Sequence, residues 1–251
     1  MRLTDLLADA TRLVAFTGAG VSTESGIPDF RSPGGIWTRF DPRNFEFDRY
    51  VEDAAVRRES WAMRRAFFSG AWRPNPAHTA LARLEDAGRS LGVITQNIDG
   101  LHQDAGSRTV VELHGTAREV MCIGHRPSNG APEGCGWRAP YTWAFEQADD
   151  DPVCPQCGGI VKSATVSFGQ LLFPGVVEAA RRLATSADLM IATGSSLQVY
   201  PAAGLPLDTL ASGGRLVIVN DEETPLDDFA TLVVRGKAGE VLGSAVDELL
   251  G

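Results

Sequence analysis

Short apolar runs that alternate with amphipathic segments constrain the fold of this chain more than any other feature. The runs are rich in β-branched residues and have the length of buried strands. They lie at 13–17, 91–95, 110–113, 188–193, 215–220 and 231–234. Helical patterns lie between many of them, at 76–87, 175–184, 201–211 and 239–250. Alternating strands and helices are typical of a parallel sheet covered on both faces, so we predict an α/β, doubly wound fold.

Two segments interrupt this alternation. Residues 34–90 form a helical insertion rich in Arg and Trp, and residues 115–165 contain all four cysteines with clusters of Pro, Gly and Asp. Insertions of this kind commonly build a second, smaller domain on a Rossmann-like sheet. We therefore predict a Rossmann-like domain from 1–33, 91–114 and 166–251. The helical module at 34–90 and the cysteine module at 115–165 would form the small domain.

The composition excludes some classes of function. The chain has 251 residues, of which 43% are apolar, and a net charge of −9, which argues against a general binder of nucleic acid or membrane surfaces. No apolar run approaches the length of a membrane-spanning helix. The segment 1–9 has acidic residues and lacks the apolar centre of a signal peptide, so we expect a cytoplasmic protein.

The first strand leads directly into a glycine-containing loop, Gly18-Ala19-Gly20, followed by Ser22. Two glycines allow the backbone to approach a pyrophosphate, and the N-terminus of a following helix offers free N–H groups. Thr23 occupies the position where the full dinucleotide fingerprint has a third glycine. The loop therefore predicts phosphate binding, although a tight strand-to-helix turn is the alternative.

Polar residues also follow two other predicted strands. Gln96, Asn97 and Asp99 follow the run at 91–95, and His114 follows the run at 110–113. Ligands bind at the carboxyl edge of open parallel sheets, so these side chains are candidates for a shared site. The alternatives are an ordinary Asn/Asp/Gly turn and a structural histidine.

The four cysteines indicate a metal site. Cys154 and Cys157 are separated by two residues, and 18 residues separate Cys135 from Cys154, as in a zinc ribbon. The gap of 12 residues between Cys122 and Cys135 is unusually long, and His125 within it is an alternative to Cys135 as a ligand. We favour Cys122, Cys135, Cys154 and Cys157, which as four protein ligands would make a structural site. The module has four Lys/Arg and six Asp/Glu, a net of −2, so nucleic-acid binding is not expected.

Taken together, these residues resemble the sirtuin family, the NAD-dependent protein deacylases. The matching strings occur in family order and span nearly the whole chain. They are Gly18–Ser22, Gly26–Arg31, Thr95–His102, His114–Gly115, Cys154–Cys157, Gly194–Leu197 and Val219–Asn220. The resemblance implies a Rossmann-like domain with an inserted small domain, NAD and zinc as cofactors, and acylated lysine side chains of proteins as substrates. It also implies transfer of the acyl group to ADP-ribose with release of nicotinamide.

The resemblance implies roles for individual residues. His114 would be the general base on a ribose hydroxyl, Asn97 would hold the ribose or a water molecule, and Asp99 would face the nicotinamide amide; these three are the predicted catalytic residues. The predicted cofactor-binding residues are Gly18, Ala19, Gly20, Ser22, Asp29, Phe30, Arg31, Trp37, Gln96, Asn97, Ile98, Asp99, Gly194, Ser195, Ser196, Asn220, Asp221 and Ala238. His78 and His102 are interpreted as helix-face or supporting residues.

The sequence departs from the family at two positions that bear on the substrate. Members that remove acidic acyl groups usually have Tyr-x-x-Arg in the helical insertion, where this chain has Trp61-Ala-Met-Arg64. Gln170 stands where the family usually has Glu, in a segment, 166–170, that we expect to pair with substrate backbone as an added strand.

Two other functions remain open from the sequence. A mono-ADP-ribosyltransferase shares the NAD chemistry but uses a different final nucleophile. A non-catalytic NAD or ADP-ribose sensor on the same fold is the second alternative. The presence of Asn97, Asp99 and His114 together favours deacylation over both.

Overall fold

A computed structural model describes residues 1–29, 35, 38, 41–125, 127 and 134–251 of the chain. Phe30, Arg31 and Trp37, which we predicted to contact the cofactor, lie outside the described residues. The strands are β1 Leu13–Thr17, β2 Ser90–Thr95, β3 Val110–Glu112, β4 Gly115–Gly124, β5 Arg138–Pro140, β6 Ile160–Thr165, β7 Leu189–Thr193, β8 Arg215–Val219 and β9 Leu232–Val234. The α-helices are α1 Leu3–Asp9, α2 Phe47–Glu52, α3 Ala54–Phe68, α4 Pro76–Asp86, α5 Leu101–Asp104, α6 Tyr141–Glu146, α7 Val176–Ser186, α8 Leu205–Ala211 and α9 Ala238–Leu250.

Six parallel strands form the main sheet, in the order β3-β2-β1-β7-β8-β9. This is the doubly wound order of a Rossmann-type fold, and it confirms the predicted fold class. The strand order reverses between β1 and β7. Ligands of such folds bind outside the carboxyl ends of the strands at this reversal, so the topology itself places a candidate site after Thr17 and Thr193.

Burial on both faces explains why the strands read as continuous apolar runs. Every residue of β1 and of β7 is buried. Leu13 and Ala15 contribute to a core shared with α1, α4 and α9, whereas Val14 and Phe16 contribute to the opposite core beneath α7 and α8. In a strand that is buried on both faces, apolar residues do not alternate with polar ones, because neither face contacts water.

A second sheet, antiparallel and in the order β5-β4-β6, carries the cysteines. Trp61 of α3 is 1% exposed and packs with Cys122 and Cys154 in one small core, and Phe47 and Tyr50 of α2 pack in another. The helical insertion and the cysteine segment are thus packed on each other. None of the helices within the described ranges is long and apolar enough to cross a membrane.

Helix α4 bears on the boundary between the two predicted domains. Ala80, Leu81 and Leu84 of this helix belong to the core that contains Leu242 of α9 and residues of the main sheet. The predicted module at 34–90 includes α4. Because its buried face packs on the main sheet, we propose that the module ends before Asn75, while the two-domain division itself stays a prediction.

The segment 166–170 differs from expectation. Strand β6 ends at Thr165, and the following residues form a turn in which the backbone N–H of Ser167 donates to Gln170 Oε1 at 3.1 Å. Phe168 forms an isolated parallel bridge with Glu46, because its N–H donates to Phe45 O and its carbonyl accepts from Phe47 N. The segment thus forms a β-bridge only at Phe168, and its expected pairing with substrate backbone stays a prediction.

Candidate active site

Two glycine loops meet at the point where the strand order reverses. The N–H of Gly18 donates to Thr193 O at 3.2 Å, and the N–H of Gly20 donates to Gly194 O at 2.8 Å. A Cβ atom added at Gly194 would lie 2.2 Å from Val21 N, and one at Gly20 would lie 2.8 Å from Gly194 Cα. These glycines are therefore required for the two loops to pack on each other, a reason that the sequence did not supply.

The element after Gly18 also differs from expectation. Residues Ala19–Ser25 form a 3-10 helix, which Gly26 ends with a φ of +90°. The sequence predicted an α-helix beginning near Ser22, whose N-terminus would offer N–H groups to phosphate. The tight turn brings the Ser22 side chain, which is 1% exposed, beneath the loop instead.

Replacing Gly194 with alanine is expected to destabilise the protein. Gly194 has a φ of +60° and its new methyl group would overlap Val21 N, whereas Gly213 has a φ of +84° with no atom within 4 Å of an added Cβ. Gly213→Ala is therefore a matched control for backbone strain alone. We expect Gly194→Ala to cost about 1–3 kcal/mol more than the control, the usual cost of overpacking. Urea unfolding of both variants measures this, and equal costs would contradict the close loop packing.

Asn97, Ser22 and Asp99 form one hydrogen-bonded network. Asn97 Nδ2 donates to Gly18 O and to Ser22 Oγ, both at 3.1 Å. The Ser22 hydroxyl donates to Asp99 Oδ2 at 2.8 Å, and Asp99 Oδ1 accepts from Leu101 N at 2.9 Å. The network holds an amide and a carboxylate in fixed orientations beside the glycine loop. Sequence reasoning identified Asn97 and Asp99, but gave Ser22 only a cofactor contact.

Two buried histidines support this network from below. His78 Nδ1 accepts from Asn75 N at 3.3 Å, so Nε2 carries the proton and faces Ser22 Oγ at 3.5 Å. His102 Nε2 contacts Thr17 Oγ1 at 2.9 Å. Burial lowers the pKa of His78 to about 4 and that of His102 to about 3. Both rings are therefore neutral near pH 7, which agrees with their interpretation as supporting residues.

His114 has one ring nitrogen, Nε2, with no hydrogen-bond partner among the described residues. Its Nδ1 lies 2.9 Å from Gln96 O, and because a carbonyl only accepts, Nδ1 carries the proton and Nε2 keeps its lone pair. Burial lowers the pKa of His114 below its usual value. The ring is thus neutral near pH 7 and can accept a proton at Nε2. The bond to Gln96 O also ties the histidine to the turn that carries Asn97.

The remaining predicted cofactor residues lie along the same edge of the sheet. Gln96 Nε2 donates to Ser195 Oγ at 2.8 Å, and this oxygen also accepts from Leu197 N at 3.2 Å. Ala19, Asp29, Ile98 and Ser196 belong to these same loops. Further along the edge, Asn220 and Asp221 follow β8, and Ala238 begins α9. Asn220 Nδ2 donates to Glu222 O at 2.9 Å.

The four cysteine sulfur atoms converge on one point, within 4.8 Å of one another. Cys122 Sγ and Cys157 Sγ are 3.5 Å apart, and Cys135 Sγ and Cys154 Sγ are 3.6 Å apart. Tetrahedral thiolate ligation at about 2.3 Å requires sulfur separations of about 3.8 Å, so the four residues fit a zinc ion. His125 is exposed and its Nε2 bonds to Cys157 O at 2.8 Å, which leaves it outside the group.

A buried cluster of cations near β6 had no signal in the sequence. Lys162 is 2% exposed, and its Nζ donates to Thr165 O, while Arg64 Nη2 donates to Thr165 Oγ1 at 3.2 Å. The Lys162 ammonium lies 6.0 Å from the ring centre of Tyr50. Burial and the nearby Arg64 lower the pKa of Lys162 well below its usual value. A lysine in a strand is normally exposed, so only the fold reveals this cluster.

The fold and the site define a Rossmann-type nucleotide-binding protein with a tetracysteine metal centre. The model of the Sir2 family matches residues 18–201. The chain is 47% identical to an NAD-dependent protein deacetylase 1 of Bradyrhizobium diazoefficiens over 98% of this chain and 94% of that protein. It is 46% identical to an NAD-dependent protein deacetylase 2 of Streptomyces coelicolor, over 93% and 94% respectively. The chain therefore belongs to the Sir2 family, the sirtuins.

Solved structures agree with this assignment. A Sir2 variant with a deacetylated p53 peptide and 3'-O-acetyl ADP-ribose is 39% identical, with a TM-score of 0.87 over 99% of this chain and 98% of that one. A Sir2 structure with a p53 peptide and NAD+ is also 39% identical, with a TM-score of 0.85 over 97% and 95%.

Proposed function

We propose that this protein is an NAD-dependent protein lysine deacylase, acting on acetyl-lysine, that transfers the acyl group to ADP-ribose and releases nicotinamide. The observation that carries the proposal is a neutral His114 whose Nε2 has no partner in the described ranges and whose Nδ1 is tied through Gln96 O to the turn of Asn97 and Asp99. An acceptor nitrogen, an amide and a carboxylate at one sheet edge suit a reaction that moves a proton from a ribose hydroxyl.

The residues of the chain have distinct tasks in this reaction. NAD, when bound, supplies the anomeric carbon that accepts the acyl oxygen as nicotinamide leaves. His114 Nε2 accepts the proton of a ribose hydroxyl, so that this oxygen can attack the acyl carbon. Asn97, held by Gly18 O and Ser22, orients the ribose or a water molecule. Asp99, fixed by Ser22 and Leu101, faces the nicotinamide amide.

The cysteine cluster has a structural task. A zinc ion held by Cys122, Cys135, Cys154 and Cys157 would have no open position for water, which excludes a catalytic role. Gly136 and Gly158, which follow Cys135 and Cys157, have φ values of +84° and +73°, as two similar metal-binding turns require. Thiolate ligands persist in a reducing compartment, which supports the proposed cytoplasmic location.

The decisive test is incubation of the protein with NAD and an acetyl-lysine peptide. We expect NAD-dependent formation of the deacetylated peptide, nicotinamide and acetylated ADP-ribose in equal amounts. Transfer of ADP-ribose to the peptide without deacylation would support a mono-ADP-ribosyltransferase instead. Binding of NAD without nicotinamide release in the presence of acyl peptide would support a sensor.

Neutral acyl groups are expected to be preferred over succinyl. Trp61 has no hydroxyl, and its buried ring packs in the core with Cys122, so the hydroxyl donor of the family's Tyr is missing here. Arg64 is hydrogen-bonded to Thr165. The lowered pKa of Lys162 reduces the positive charge that Arg64 and Lys162 together offer to a succinyl carboxylate. A charged group that lacks a partner binds poorly in a desolvated site. Values of kcat/KM for acetyl-, butyryl- and succinyl-peptides of one sequence measure the preference.

Variants of the neighbouring arginines separate the possible causes. Arg64→Gln tests the cation beside Thr165, and Arg65→Gln is the matched control, because Arg65 pairs with Asp150 at 3.3 Å and lies over the Phe145 ring. We expect the ratio of kcat/KM for the succinyl-peptide to that for the acetyl-peptide to be low and similar in the two variants. Succinyl as the best substrate, with a selective loss in Arg64→Gln, would show that Arg64 and Lys162 suffice to bind the carboxylate.

A further inference from the structure

Strand β4 contains a wide bulge beside the proposed active site. Gly115 pairs with Thr165 and Val120 pairs with Ser163, so residues 116–119 of β4 face only Ala164 of β6. The register with β6 shifts across these residues, and the N–H of Ala117 donates to Ile98 O at 2.9 Å. The bulge is thereby docked on the turn that carries Asn97 and Asp99. Bulges are frequent next to active sites, where they redirect a side chain.

The side chain redirected here is that of Arg118. Its Nε donates to Asp99 O at 3.2 Å, and its two terminal nitrogens form a bidentate pair with the Asp104 carboxylate, with Nη1 at 2.8 Å from Oδ1. Asp104 is the last residue of α5, which begins directly after Gly100. The guanidinium therefore joins the carbonyl at the end of the turn to the end of the following helix. This pairing lowers the pKa of Asp104 below its usual value.

Gly100 provides the space for this arrangement. Its φ is +75°, and an added Cβ would lie 2.1 Å from Arg118 Nε and 2.4 Å from Arg118 Cζ. Glycine thus meets two separate requirements at this position, a left-handed backbone and room for the guanidinium. The residue that follows Asp99 and the arginine on β4 form one fitted unit, although they are 18 positions apart in the sequence.

We propose that Arg118 is a positioning residue for the nicotinamide-binding end of the NAD site. The Asp99 carboxylate is held by Ser22 and by Leu101 N, and the guanidinium of Arg118 separately holds the Asp99 carbonyl. Without Arg118, the peptide between Asp99 and Gly100 loses its side-chain hydrogen bond within the described part of the chain. A turn with this freedom places the carboxylate less accurately, and small displacements reduce binding and rate.

The proposal rests on the proposed function, and the test compares two kinds of ligand. Arg118→Gln and Asp104→Asn should weaken inhibition by nicotinamide and lower kcat/KM for NAD, by about tenfold for the loss of charge-assisted hydrogen bonds. Affinity for ADP-ribose, which lacks nicotinamide, should stay unchanged. Arg118→Lys should rescue part of the loss, because an ammonium reaches one partner but cannot replace the planar fork.

A matched control lies on the same pair of strands. Arg138 Nη1 pairs with Glu119 Oε2 at 2.9 Å with similar exposure, and within the described ranges no hydrogen bond joins either side chain to the turn. Arg138→Gln should therefore leave both ligands unaffected. Melting temperatures of all variants should stay close to wild type, since the Arg118 and Asp104 side chains are 39% and 41% exposed and such pairs contribute little stability.

Two results would contradict a positioning role for Arg118. Equal losses for ADP-ribose and nicotinamide in Arg118→Gln would overturn the proposal, because the arginine would then support the whole loop. Wild-type nicotinamide inhibition in that variant would overturn it as well. Deacylation by the wild-type protein is measured first, so failure of the proposed function is distinguishable from failure of the role of Arg118.

Discussion

Replacing His114 with alanine should lower NAD-dependent deacylation by about 10²–10⁴-fold, the usual contribution of a positioned general base. The ring is held by its Nδ1–H bond to Gln96 O, so Nε2 is the atom that accepts the proton. The partly buried His114 side chain donates to one backbone carbonyl, that of Gln96. We therefore expect His114→Ala to keep its melting temperature and its affinity for NAD, and to lose the chemical step.

The pH dependence provides a second measurement of the same role. A general base must be neutral, and burial lowers the pKa of His114 below the ordinary histidine value of about 6.5. Activity should therefore persist at pH values somewhat below the ordinary histidine pKa. It should fall as the pH drops through the lowered pKa of His114, because the ring then becomes protonated. Rates of His114→Ala close to wild type, or a wild-type profile that falls only above pH 7, would refute the assignment.

Loss of zinc is expected to have the other large effect. Cys122 and Cys154 are each 2% exposed and lie in the small core that also contains Trp61, so a metal held there joins β4 to the loop before β6. The purified protein should contain about one zinc per chain. Cys154→Ser should lose the metal and, because binding energy at a structural site is folding energy, should unfold the cysteine module and abolish activity.

Two further variants identify the fourth ligand. Cys135→Ser should release zinc, whereas His125→Ala should retain it, because His125 Nε2 is engaged by Cys157 O while Cys135 Sγ lies 3.6 Å from Cys154 Sγ. Elemental analysis of fresh protein provides the measurement. The opposite pattern would make His125 the ligand, and protein without zinc would reject the site altogether.

Local features made much of this protein predictable from its sequence. Each of the six strands of the main sheet begins and ends within one residue of its predicted run, because burial on both faces leaves an uninterrupted apolar signal. The segment 166–170 was predicted as a strand, but only Phe168 forms a β-bridge. The hydrogen bonds of Phe168 go to Phe45 and Phe47, about 120 positions earlier in the chain, and no local sequence pattern predicts such distant partners.

The sequence by itself determined the class of fold, the order of the motifs and the chemical groups available, namely His114, Asn97, Asp99 and the four cysteines. Strand periodicity and residue spacing are local properties, so they can be recognised in the sequence alone. Only the tertiary structure decided the rest: the proton position on His114, the packing of Gly194 on Gly20, and the placement of Arg118 over Gly100. Each depends on the distance between atoms far apart in the chain, which only the assembled sheets fix.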